Sequence, residues 1–241
     1  MKFYLAILAC LTVFFLSPGC KKDDTRKSDP YKCTSCVATP EAKSANDASS
    51  KGVYKGIVIG STGTIKFDVL NSGSTIKAYL TLDGTAVELT SSVEWNGASG
   101  YIAPFKGTLN GQQVTISFSV SANGSAPSVV SSNIPGHSNA EFVLVKEYSA
   151  ALIECFEGSY HTTRPEDGTF NIIISRALGL WGGIARENGQ SGTDDIEGTI
   201  VNNQLLQDGR TLVGTISNDE ISGSFKDSDG KTVTVKGKRT L

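Results

Sequence analysis

Cys33-Thr34-Ser35-Cys36 is the tightest cluster of reactive side chains in the chain. Two thiols at this spacing can hold a metal, cycle as a dithiol, or close a structural bridge. A tetrahedral zinc site needs four ligands, usually supplied as a second pair, and Cys155, His137 and His161 are scattered singly. A redox centre places its pair beside a βαβ unit, and no such pattern surrounds these residues. The spacing therefore predicts a disulfide, either Cys33 to Cys36 or one of the two to Cys155. The local bridge is preferred, with Cys155 a small buried hydrophobe.

His161, Arg164, Glu166 and Asp167 sit together before a glycine and could supply acid–base chemistry. Two histidines in the whole chain are too few for a relay or a metal cluster, and a solvated turn accounts for the four residues better. Asp194-Asp195 and Asp227-Ser228-Asp229-Gly230 are similar to pieces of calcium loops but lack the spaced oxygen ligands of a full one. No serine nucleophile elbow, phosphate-cradling glycine loop or zinc-protease helix is present. The residues thus predict no catalytic set, no metal and no cofactor. Trp95 and Tyr101 flank a Gly-rich hairpin, and Trp181 precedes Gly182-Gly183. Rings at a barrel mouth can stack a sugar or an apolar molecule; the plainer reading is a cross-strand pair and a core plug. With 22 Lys+Arg against 24 Asp+Glu, the formal net charge of −2 offers no basic excess for nucleic acid.

The elements that would position these residues are strands. Ile65, Phe67 and Val69 alternate with Lys66 and Asp68, and Val114, Ile116, Phe118 and Val120 alternate with polar residues. This period of two marks strands with one buried face. Asx-Gly pairs punctuate the runs at Asp83, Asn96, Asn110, Asn123, Asp167, Asn188, Asp208 and Asp229. Such pairs tolerate the positive φ of tight hairpins. Their close spacing leaves no room for crossover helices, so the connections are antiparallel and up-and-down. The stretch from Leu212 to Phe225 is a hairpin with Leu212, Gly214 and Ile216 on one face and Ile221, Gly223 and Phe225 on the return. Mid-strand glycines beside apolar neighbours let a sheet coil or a bulky partner pack down. The fold class predicted is all-β, an antiparallel up-and-down meander of barrel-like form. Lys236 and Lys238 on the last strand read as edge protection.

The chain also looks doubled. Gly52 to Ile65 recurs loosely as Glu157 to Phe170, and Phe105 to Val114 matches Ile196 to Leu205. Two related halves, residues 52–148 and 149–241, are expected, and convergent hairpin composition explains the matches equally well. A helical turn is expected near Ala150. Residues 20–51 read as a polar tether, with Thr39-Pro40-Glu41 starting a short helix to about Ser49.

Lys2, the apolar run Phe3 to Leu16 and Gly19-Cys20 resemble a bacterial lipoprotein signal covering residues 1–19. The run is too short for a spanning helix. Ile7-Leu8-Ala9-Cys10 also fits, but cutting there leaves too short an apolar stretch, so Cys20 is preferred. The resemblance implies acylation of Cys20 (palmitate and diacylglyceryl chains) and stable membrane anchoring. Lys22-Asp23-Asp24 resembles the export signal of Bacteroidota-type surface lipoproteins, which implies an outer-membrane protein facing out. The Gly-Thr-apolar strands, Ile196 to Leu241 with Ile221-Ser222-Gly223-Ser224-Phe225 returning, are similar to the barrel domains of lipoproteins such as transferrin-binding protein B. That resemblance implies an anchored barrel and brings no ligand with it. The function expected is a lipid-anchored surface binding protein for a small molecule, a glycan or a protein. The alternatives are a structural envelope lipoprotein, or an enzyme using the His161–Asp167 turn.

Overall fold

The computed structural model describes residues 29–60, 62–97, 99–164 and 166–241. Residues 1–19, expected to form a signal, together with Cys20 and Lys22-Asp23-Asp24, lie outside the described residues. The first eight strands are β1 (Gly52–Ile59), β2 (Gly63–Val69), β3 (Lys77–Leu82), β4 (Thr85–Thr90), β5 (Tyr101–Leu109), β6 (Gln112–Val120), β7 (Ser128–Asn133) and β8 (Glu141–Lys146). They form a meander in which β8 turns back to pair with β1, leaving β7 and β8 as the free edges. The next eight are β9 (Ile153–Thr162), β10 (Asp167–Ser175), β11 (Leu180–Glu187), β12 (Asp194–Val201), β13 (Gln204–Gln207), β14 (Thr211–Ser217), β15 (Glu220–Lys226) and β16 (Thr232–Arg239). They repeat the connectivity and close completely, β16 pairing with both β15 and β9. Lys236 and Lys238 therefore lie on a doubly paired strand and protect no edge. Among the described residues no helix is long and apolar enough to cross a membrane.

The turn chemistry explains the meanders. Asp83-Gly84 has φ of 46° and 78°, and Asn110-Gly111 has 51° and 78°, the paired positive values that a two-residue turn matched to strand twist requires. Asn202-Asn203 and Asn218-Asp219 make the same turn without glycine, since asparagine and aspartate tolerate this region. Asp167-Gly168 instead opens β10. The two sequence matches differ in phase. Gly52 to Ile65 and Glu157 to Phe170 both fall on the first two strands of their meanders. The hairpin Phe105–Val114 falls on the fifth and sixth strands of the first meander, and Ile196–Leu205 on the fourth and fifth of the second. This second match therefore follows hairpin composition rather than position in the meander.

The first sheet is filled by rings. Phe67 stacks on Phe118 with centroids 4.4 Å apart, meets Phe105 at 5.0 Å, and Tyr54 meets Phe118 at 5.1 Å. β1 departs from period two because both its faces are buried. Tyr54 and Val58 face the first core, while Ile57 and Ile59 pack against Ile153, Cys155, Ile173 and Ile184 on the outside of the barrel. Lys55 shares that outer face, wholly buried, with Nζ 2.7 Å from Glu147 and 3.2 Å from Glu41.

Residues 31–51 are strapped onto both halves, so the expected tether is not free from Tyr31 onward. The Tyr31 hydroxyl donates to the Arg239 carbonyl, and the Cys33 N–H to Asp219. Further along, the N–H groups of Glu41 and Ala42 donate to Glu147. Cys33 and Cys36 are joined by a disulfide, and Cys155 is a buried free thiol. The expected helix from Pro40 to Ser49 is a single 3-10 turn at Ser44–Asn46. Lys66 and Lys55 hold the Glu41 carboxylate and Glu147 takes its N–H, so strand-borne groups satisfy what a helical first turn would have. The expected helical turn near Ala150 is a tight bend closed by the Tyr148–Ala151 bridge.

Candidate functional site

The closed barrel is the element that makes a site. An eight-stranded barrel has an interior just wide enough to be filled by side chains or to hold one small molecule. Here it does both in sequence. Phe156, Ile174, Ile200, Ile216 and Trp181 fill one end. Above them a cavity of about 340 Å³ opens toward the turns that join β9 to β10, β11 to β12, β13 to β14 and β15 to β16. Its wall is apolar: Phe170, Ile172, Ile196, Leu205, Ile221 and Phe225, with valines at 213, 233 and 235. Its rim carries Tyr160, Thr162, Glu166, Asp194, Gln207 and Asp227.

Glycines in the wall keep the lumen open. A Cβ at Gly158 would collide with the ring of Phe170 and the carbonyl of Lys236, and one at Gly237 would come within 3.0 Å of the same ring. A Cβ at Gly198 would sit 2.8 Å from Trp181 Nε1, and one at Gly168 would strike the Tyr160 ring. Three rings thus lie flat against bare backbone instead of crossing the barrel. A bulge sets one further wall residue. Leu205 pairs with Gly214 and Leu206 with Leu212, so Val213 is the extra residue on β14. An extra residue inverts the alternation. Val213 faces inward and Leu212 is 43% exposed, which corrects the expectation that Leu212 shares the inner face with Gly214 and Ile216.

Trp181 is the floor of this cavity, its Nε1 donating to the Thr199 carbonyl at 3.1 Å. Trp95 and Tyr101 do not join it. Trp95 Nε1 donates to Ser50 Oγ at 2.8 Å, with Lys51 Nζ 4.1 Å over its ring. Tyr101 is buried in the first core and its hydroxyl donates to the Val93 carbonyl. The His161 ring and the Asp167 carboxylate contact each other on the outer wall, with side chains 68% and 53% exposed. Glu166 turns instead to the rim, where both its oxygens accept from Lys231 Nζ at 2.8 Å. Among the described residues, His161 and Asp167 on the outer wall and Glu166 at the rim therefore do not converge on a common cleft. Among the described residues no cluster of three or more His, Cys, Asp or Glu is placed to hold a metal ion. A longer groove of about 640 Å³ runs between the outer faces of β8 and β10–β12.

The phenol of Tyr160 is pushed above its ordinary value, first by burial and then by the carboxylates of Glu187, Asp194, Glu166 and Asp167. It remains a neutral hydrogen-bond donor across physiological pH. Tyr160 and Phe170 are hidden among ordinary strand residues, yet each, like Phe225, follows an inward glycine by two positions: Gly158, Gly168 and Gly223. That repeated spacing was the available signal.

Comparison with protein-family models, with curated proteins and with solved structures finds no match to this chain.

Proposed function

We propose that the protein is a lipid-anchored binding protein of the bacterial cell surface, and that its closed barrel takes up one small apolar molecule. The observation that carries this reading is the 340 Å³ cavity, walled by apolar side chains and rimmed by a few polar ones. Ligand pockets have this composition and begin at about this size. An apolar wall of this kind favours a hydrocarbon body over a glycan, which needs hydrogen-bond partners along its length. Each buried methylene contributes about 0.8 kcal/mol.

The Gly19-Cys20 and Lys22-Asp23-Asp24 sequences support the anchored, outward-facing location. The route of the chain fits it. Tyr31 and Cys33 are fastened to Arg239 and to Asp219 in the β14–β15 turn, at the filled end of the barrel. Tyr31 and Cys33 thus lie at the end opposite the mouth.

The test uses Trp181 as reporter. In a full-length Trp95→Phe variant Trp181 is the single tryptophan, since the chain has two. Octanol titrated into this variant should shift Trp181 emission saturably. Emission that stays constant up to the solubility limit would remove the support for a ligand in the barrel.

A further inference from the structure

Resting on the reading that the barrel cavity binds an apolar body, we infer that its ligand is a cationic amphiphile, with an amine or other positive group held at the mouth. The cavity is the site; its rim selects the head group. Every charged side chain on the lining is acidic: Glu166, Asp194 and Asp227. Lys231 stands beside the rim, but Glu166 engages it with both oxygens. Asp227 spends Oδ1 on the N–H groups of Asp229 and Lys231, at 3.0 and 2.8 Å. Asp194 pairs with Ala185 through its backbone, and its carboxylate has no hydrogen-bond or ion-pair partner among the described residues.

The rim carboxylates also act on their neighbour Tyr160. Burial and then nearby carboxylates, Asp194 and Glu166 among them, push the Tyr160 phenol up, and those carboxylates oppose any anionic head brought beside them. Geometry sets the length. Gly198 pairs with Trp181 at the floor, and Asp194 on the same strand stands at the rim. The four steps between them run about 13 Å along the strand at roughly 3.3 Å per residue, or about 10 Å of depth for a strand tilted about 40°, suiting a medium-length chain whose head emerges among the carboxylates. A fatty acid of the same length would place its carboxylate against Asp194 and Asp227.

The experiment compares octylamine, octanol and octanoate, three heads on one chain, by Trp181 emission in the full-length Trp95→Phe protein at neutral pH and low salt. Octylamine should bind about tenfold or more tighter than octanoate, with octanol between them, and added salt should narrow the margin. Asp194→Asn, alone and with Asp227→Asn, should bring the affinities for octylamine and octanoate together. The Asn side chain retains the oxygen that Asp227 uses in its turn. Octanoate binding as tightly as octylamine, or a margin untouched by Asp194→Asn, would overturn the inference while octanol binding leaves the cavity reading standing. Failure of all three to bind would overturn the cavity reading and the inference together.

Discussion

The ring of Phe170 lies across Gly158, in the space where any larger residue would place its Cβ. This contact keeps the ring on the wall and the lumen open. Gly158→Ala should force Phe170 inward and strain the strand against the Lys236 carbonyl, at a cost of about 1–3 kcal/mol, as overpacking usually does. Urea unfolding measures the cost, and ligand titration measures the lost cavity. A variant of native stability that binds normally would show that the ring has room elsewhere.

Glu147 should be the most sensitive polar residue of the fold. Its buried carboxylate faces Lys55 Nζ at 2.7 Å and accepts from the N–H groups of Glu41, Ala42 and Ile153. It therefore ties the strap, β1 and the start of the barrel into one network. Glu147→Ala leaves the buried Lys55 ammonium with Glu41 as its one remaining carboxylate and several N–H donors unpaired, and should cost about 3 kcal/mol. Limited proteolysis should then cut within residues 31–51 of the variant and spare the wild type. Equal resistance of both would place the strap's stability elsewhere.

Cys155 shapes the alkaline limb of stability. Burial pushes its thiol up to about 12, with Lys55 and Arg239 only partly offsetting this. An exposed thiol in the unfolded chain titrates near 9. The folded protein thus keeps a proton that the unfolded chain releases, so this group makes stability fall as pH rises from about 9 to 12. Cys155→Ala should flatten that slope by up to about one proton, whatever its effect on absolute stability. Denaturant melts at several pH values check it, and identical slopes would contradict it. The native thiol should also resist modification at pH 8 until the protein is unfolded.

Metabolic labelling with an alkyne fatty acid should tag the wild type and the Cys10→Ala variant but not Cys20→Ala. Protease shaving of intact cells should then remove the protein. Labelling of Cys20→Ala would relocate the acylated cysteine, and complete protection from shaving would place the protein on an inner surface.

What the sequence made legible was local. Alternation announced strands such as Val114 to Val120, and Asp83-Gly84 and Asn110-Gly111 announced hairpins, because each signal is written within a few residues. What it concealed depends on partners far along the chain. β1 hides its role because Ile57 and Ile59 are covered by a barrel whose strands begin at Ile153. Pro40 promises a helix that Glu147 and Lys66 pre-empt. Leu212 is exposed because a bulge at Val213 inverts the strand. The site follows the same rule. Trp181 was recognisable as an aromatic beside glycines, but its separation from Trp95 and Tyr101 is set by which core each strand joins.

The most direct test of a ligand-binding barrel is to fill it. Ala185 lines the cavity on β11, and Ala185→Phe would occupy the lumen above Trp181. In the full-length Trp95→Phe background, N-phenylnaphthylamine titrated against Trp181 emission should bind saturably with one molecule per chain. Ala185→Phe should weaken that binding at least about tenfold, equivalent to about 1.4 kcal/mol, with a circular dichroism spectrum and melting curve like those of the parent. Absence of saturable binding in the parent, or binding that survives with the lumen filled, would contradict the account.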